Sequence, residues 1–198
     1  MVTHEQNKIN KKKLINGCAN ITGGGLINNL IRVIPEELCP NIDLSKIEVI
    51  RLLFYKYAQC IDDSNLDEWP NFFVDDCLYR IIPKENENFE EPFAILYADN
   101  KNQLKDRVFI IKKALVYSLR YYRHNITNIF TNKIEDGIYH VTSNYVVYST
   151  DQVNGQTILF SVGKYKSEII LKNKKPYFKK LDVLVDTFSI QRQMPIPL

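Results

Sequence analysis

The residues able to do chemistry in this 198-residue chain are few and scattered. The histidines are His4, His124 and His140, and the cysteines are Cys18, Cys39, Cys60 and Cys77. No cysteine pair has CxxC spacing and none is followed closely by His, so neither a zinc site nor a redox dithiol is spelled out. A Rieske cluster needs two Cys and two His in close pairs, which this sequence lacks. A mononuclear iron needs two His and a carboxylate on one open site. His124 and His140 fall on or beside neighbouring strands with no ligand motif around them, so no metal is expected in the chain. Gly23-Gly24-Gly25 has neither the preceding strand nor the following Lys-Ser/Thr of a phosphate cradle. What remains is acid–base chemistry. A His and an Asp turned into one cavity could move a proton, and His124 with Asp75 or Asp76 and Tyr79 is the set this sequence could assemble for it. The competing reading has His124 simply hydrogen-bonded inside the fold, or at a subunit boundary, next to Arg123.

These side chains need elements to position them. Ser45-x-x-Glu48 is a capping box that starts a helix, and Ile47, Ile50, Leu53/Phe54, Tyr57 and Ile61 give it one apolar stripe. Asp62-Asp63-Ser64-Asn65 breaks it. A short helical piece follows at Asp67–Phe73, with Pro70 tolerated in its first turn. Cys77–Pro83 and Pro92–Ala98 read as strands. Asp99 caps a long helix to about Leu119, with Leu104, Val108, Ile111, Leu115 and Leu119 facing inward. Four strands then run in meander: Ile126–Ile134, Ile138–Thr150, Thr157–Leu171 and Tyr177–Ile190. Their turns are Glu135-Asp136-Gly137, Asp151–Gly155 and Lys172–Pro176. The expected fold is α+β: a curved antiparallel sheet of about six strands, closed by three helices into a cone-shaped barrel of the nuclear-transport-factor-2-like kind.

Composition narrows the partners. A 45% hydrophobic and 25% charged chain of this length buries a core without staples. The net charge of +3 is weak. Lys8 and Lys11–Lys13 read as a solvated tail, and Lys172, Lys174 and Lys175 as a hairpin turn, so nucleic acid is not an expected partner. No signal peptide and no apolar run of membrane length is present, which implies reduced cysteines, a cytoplasmic protein and no membrane partner. Residues 1–44 form a separate N-terminal arm, partly disordered, and residues 45–198 the barrel.

Within the barrel, an ordered series of motifs resembles the small β subunits of aromatic-ring-hydroxylating dioxygenases. It runs Asp67-Glu68-Trp69, Phe72-Phe73, Asp75-Asp76, Tyr79, Tyr97-x-Asp99 and Gln103-Leu104-Lys105-x-Arg107-Val108. It continues with Arg123-His124-Asn125-Ile126-Thr127-Asn128, Ser143-Asn144, Phe160, Gly163-Lys164-Tyr165, Phe178, Asp186 and Pro195-Ile196-Pro197-Leu198. The resemblance implies a cone-shaped subunit that forms a trimer and partners a large α subunit, as α3β3. That α subunit would carry a Rieske 2Fe-2S cluster and a mononuclear Fe(II), take NADH-derived electrons and dihydroxylate an arene, while this chain holds no cofactor and serves assembly. It marks Trp69, Arg107, Arg123, His124, Asn128, Asn144 and Tyr165 as structural or interface candidates and names no catalytic residue. The other reading is a stand-alone dehydratase or isomerase of the same barrel type, using His124 with Asp75 or Asp76. The link before Arg123 is shorter than the family's, which leaves the arene open.

Several side chains carry two readings. Trp69, Phe72 and Phe73 are a core plug or a pocket lining. Tyr117, Tyr121 and Tyr122 divide between core and interface. Arg107 and Arg123 are expected to pair with Asp99 or Asp106. Ser143 and Asn144 bond across the sheet or a subunit contact. The preceding arm resembles another family: Asn20-Ile21-Thr22-Gly23-Gly24-Gly25-Leu26-Ile27-Asn28-Asn29 and Arg32-Val33-Ile34-Pro35 look like a segment of aminoimidazole ribonucleotide synthetase, the purine-pathway cyclo-ligase. The match is about 30 residues long, too short to fold as that enzyme does. It reads as a fused remnant without cyclo-ligase activity.

Overall fold

Helical spacing of apolar residues sets the first element, α1 (Leu44–Asp62), whose buried face is Ile50, Leu53, Phe54, Tyr57, Ala58 and Ile61. It ends where Ser64 takes a left-handed φ of 59° and the Asn65 amide bonds back to the Cys60 carbonyl at 2.9 Å. A 3-10 turn at Trp69–Phe72, with Pro70 near its start, stands where the short helical piece was expected. It leads directly into β1 (Phe73–Pro83), which begins four residues before the expected Cys77. After a loop comes β2 (Leu96–Ala98), only 3 residues long. The computed structural model describes residues 44–89, 92–113, 120–187 and 196–198, the side chains of residues 44 and 45 excepted. The expected arm with its Gly23–Gly25, Cys18 and Cys39, the Ser45 cap, and Leu115, Tyr117, Leu119 and Pro195 therefore lie outside the described residues.

The second helix, α2 (Lys101–Lys113), buries Leu104, Val108 and Ile111 as the periodicity predicts. Its cap is not Asp99 but Asn100, whose Oδ1 accepts the Gln103 amide at 3.1 Å. The Gln103 side chain reaches back to accept the Asp99 amide at 3.0 Å. Four long strands follow: β3 (Arg120–Glu135), β4 (Ile138–Asp151), β5 (Thr157–Lys172) and β6 (Lys175–Val185). The β3–β4 turn uses positive φ at Asp136 and Gly137, and the β5–β6 turn at Asn173 and Lys174, which matches the right-handed twist of the flanking strands. Between β4 and β5, Asp151 Oδ1 accepts the Val153 amide at 2.9 Å and pins the loop.

The strands form one sheet in the order β2-β1-β6-β5-β4-β3. Five strand junctions hold it, and one departs from the expected antiparallel pattern: β1 runs parallel to β6, with Tyr79 opposite Leu181. The sheet is thus mixed. A chain that leaves β1, crosses through α2 and returns by a three-hairpin meander reaches β1 again running in the same direction, which no local pattern announces. Arg80 secures this junction through two bonds to the Asp182 carboxylate, 2.7 and 2.8 Å, in the fork geometry of an arginine–carboxylate pair. On the same outer face, the loop after β1 brings Glu87 to both Lys84 and Lys166.

The inner face is apolar and aromatic. Along β4, Tyr139, Val141, Ser143, Tyr145, Val147 and Ser149 are buried, each alternating with a less buried neighbour. α1 lies against this face: Phe54 meets Phe178 edge-on at 5.4 Å, and Tyr57 meets Phe178 at 5.5 Å. Among the described residues, none of Trp69, Tyr57, Tyr79, Tyr145, Tyr165, Phe54, Phe73 and Phe178 has appreciable exposure. The fold class is the α+β cone expected from sequence.

Gly163 in β5 marks how tightly the sheet is wound. A Cβ there would lie 1.9 Å from the Leu184 carbonyl oxygen of β6 and 3.1 Å from the Tyr145 ring. Only glycine permits that approach. Gly163→Ala should therefore cost about 3 kcal/mol in urea-unfolding free energy. A loss below about 0.5 kcal/mol would mean that β5 and β6 are further apart than described.

Candidate functional site

The acid–base set assembles differently from the sequence expectation. His124 stands on β3 with its side chain fully buried, and its carboxylate partner is Asp62, the last residue of α1. Nδ1 lies 2.6 Å from Asp62 Oδ1, and the His124 backbone amide donates to the two carboxylate oxygens at 3.2 and 3.0 Å. This arrangement places a proton on Nδ1, between the ring and the carboxylate. Nε2 is buried and has no hydrogen-bond partner among the described residues. Chemically the pair is an imidazole oriented by a carboxylate, as a general base needs. Structurally it ties the end of α1 to the first third of β3.

Asp75 and Asp76 do not join it. Both are exposed on β1, and Asp75 pairs at 3.7 Å with Lys101 of α2. Tyr79 is buried, but its hydroxyl bonds to the backbone of Leu198. His124 and His140 cannot share a metal ion. His140 is seven residues along β4 from Val147, the strand partner of His124, or roughly 23 Å. Among the described residues no group of three or more His, Cys, Asp or Glu side chains could hold a metal. Cys60 and Cys77 are buried, and burial pushes both thiols up to about 11, which keeps them protonated and poor ligands. The ligand set of an iron or iron–sulfur centre therefore does not fit this part of the chain.

The other expected residues spread over both faces. Trp69 is buried edge-on to Phe73 and Tyr79, at 5.8 and 5.2 Å. Tyr165 stacks on Tyr145 at 4.6 Å, and Tyr145 shares a hydrogen bond of 3.0 Å with Ser161. Arg107 is half-buried on α2, where desolvation lowers its pKa. Arg123 donates to the Tyr122 carbonyl at 2.8 Å, in place of the expected carboxylate. Asn128 takes a φ of 53° at a bulge in β3, and Asn144 lies opposite Thr127 and Lys164. Ser143 is buried, Tyr121 is exposed, and Tyr122 packs on Phe160 at 5.5 Å.

The inner cluster also contains a residue pair that sequence reasoning missed. Tyr57 of α1 and Tyr79 of β1 send their hydroxyls to the same Leu198 oxygen, at 2.6 and 3.1 Å. Burial raises both phenols, Tyr79 to about 12, so both remain donors at neutral pH.

Removing the carboxylate of Asp62 would leave a buried imidazole and amide unpaired. Asp62→Ala should cost about 3 kcal/mol of unfolding free energy, while Asp75→Asn, at an exposed site, should stay within about 0.5 kcal/mol. Equal effects of the two substitutions in urea titrations would contradict this assignment of His124's partner.

With this geometry in hand, comparison with known proteins is specific. The family model for the ring hydroxylating beta subunit matches residues 56–191. The small subunit of anthranilate 1,2-dioxygenase from Burkholderia cepacia is 32% identical over 149 residues, covering 75% of this chain and 92% of that protein. A β subunit of the terminal oxygenase component of terephthalate 1,2-dioxygenase from a Comamonas species is 25% identical, covering 72% of this chain and 92% of that protein. A crystal structure of a β subunit assigned to an aromatic-ring-hydroxylating dioxygenase of Novosphingobium aromaticivorans superposes with a TM-score of 0.69 at 32% identity, covering 76% of this chain and 95% of that one. A phosphoribosylformylglycinamidine cyclo-ligase of Streptococcus pneumoniae is 31% identical over 101 residues, but the match spans 39% of this chain and only 29% of that enzyme. The chain belongs to the β-subunit family of aromatic-ring-hydroxylating dioxygenases.

Proposed function

We propose that this chain is the assembly subunit of an α3β3 oxygenase, in which the partner α subunit carries the Rieske cluster and the mononuclear iron. NADH-derived electrons and O2 would be used there, in the cytoplasm, to dihydroxylate an aromatic ring. The observation that carries this reading is the packed interior. In a catalytic cone the space under the concave face stays open to substrate, whereas here eight fully buried aromatic side chains and the chain's own Ile196 and Leu198 fill it. The named relatives act on anthranilate and terephthalate, both aromatic carboxylic acids, which supports an aromatic carboxylate as the substrate of the complex. Residues 1–44 are then a fused remnant with no part in oxygenation.

The Asp62–His124 pair belongs to the same reading as a tie between elements, with Trp69 and Tyr165 in the core and Arg123, Asn128 and Asn144 towards subunit contacts. Co-expression of the chain with a dioxygenase α subunit should yield a complex of equal stoichiometry, with the mass of three pairs by native mass spectrometry. Supplied with NADH and an electron-transfer reductase, the purified complex should consume O2 with benzoate-type acids, and the isolated chain under the same conditions with none. Recovery of this chain as a monomer that ignores the α subunit would overturn the proposal.

A further inference from the structure

We propose that the inside of the cone is a binding pocket for a branched aliphatic group adjoining a carbonyl oxygen, and that Ile196–Leu198 of the same chain is its resident ligand. Ile196 and Leu198 are buried within the same cluster as Tyr57, Trp69, Tyr79, Tyr165 and Phe178. Their polar contacts come from far along the chain and from two different elements. The Tyr57 hydroxyl on α1 donates to the Leu198 oxygen at 2.6 Å, and the Tyr79 hydroxyl on β1 donates to the same oxygen at 3.1 Å. The Leu198 amide in turn donates to the Tyr79 oxygen at 3.1 Å.

This is a binding arrangement rather than unspecific packing. Apolar contact would hold a leucine side chain at many depths, whereas two phenols converging on one oxygen fix both depth and direction. The phenols are fully buried, so removing the occupant strips their acceptor in a place water does not reach freely. The pocket thus favours occupancy, and a short segment supplied from elsewhere would meet the same clamp. Trp69, the chain's one tryptophan, lies edge-on to Tyr79 at 5.2 Å and reports on that occupancy without a label. The inference goes beyond the assembly role and does not depend on it: the tests below use this chain without the α subunit.

The experiment removes residues 194–198 and returns them in trans as the acetylated peptide Met-Pro-Ile-Pro-Leu. The truncated chain should show a red-shifted Trp69 emission that the peptide reverses in a saturable way. The same peptide with alanine in place of its leucine should bind at least about thirtyfold more weakly. A folded truncated chain whose emission ignores the peptide overturns the proposal. Should truncation unfold the chain beyond rescue, hydrogen exchange at the Leu198 amide of the full-length protein decides. The amide should be protected in the parent, and protection should fall about fivefold in Tyr79→Phe. Exchange at the solvent rate in the parent, or equal protection in the variant, overturns it.

Discussion

Everything in this barrel leans on the contact between α1 and the concave face of the sheet, and Tyr57 is where that contact concentrates. Its ring meets Phe72, Phe73, Tyr165 and Phe178 edge-on at 5.5 to 6.3 Å, and its hydroxyl holds Leu198. One helix residue therefore touches the 3-10 turn, β1, β5, β6 and the buried 196–198 segment. A curved sheet has one concave face to bury and no second sheet to bury it against, so a helix must close it. Aromatic rings suit that task because they fill a tapering space in edge-to-face contacts at small entropic cost.

The polar contacts inside follow from the same constraint. A helix laid across strands exposes its last turn to buried surroundings, and Asp62 there needs partners; the His124 amide and Nδ1 supply them. The Tyr57 and Tyr79 hydroxyls need an acceptor, and Leu198 supplies it. Arg80 and Asp182 satisfy each other across the parallel junction on the outer side. In each case a group placed by packing finds a partner distant in sequence, which orders the elements relative to one another. Such pairs fix geometry more than they add net stability.

Much of the architecture was legible in the sequence because it obeys local rules. The period of two in β4, the 3.6-residue stripe of α1 and the turn residues at Asp136-Gly137 each announce an element. What was not legible is long-range or polar. β3 starts at Arg120 rather than Ile126, because its first buried positions are Tyr122 and His124, polar-tipped residues that do not mark an inner face in the sequence. β1 begins at Phe73, hidden by the exposed pair Asp75-Asp76 at a register shift against β6. The parallel β1–β6 junction is set by topology alone. Asp62 stands in a helix-breaking Asp-Asp-Ser-Asn run that does not announce a buried partner. The available signal was its spacing of one turn from buried Ala58, which puts a carboxylate at the end of the apolar stripe.

Family membership makes this chain the β subunit of a multicomponent dioxygenase, and the packed interior suits a subunit that organises chemistry performed by its partner. The dyad of Asp62 and His124 is the feature that could contradict this, because its geometry is also that of an oriented general base. The decisive measurement is steady-state oxygenase turnover of the assembled complex carrying His124→Gln, normalised to assembled complex and followed across pH. The account predicts kcat, KM and pH profile within about twofold of the parent. A fall of about a hundredfold in kcat with a changed pH profile would place His124 in the catalytic step and contradict it.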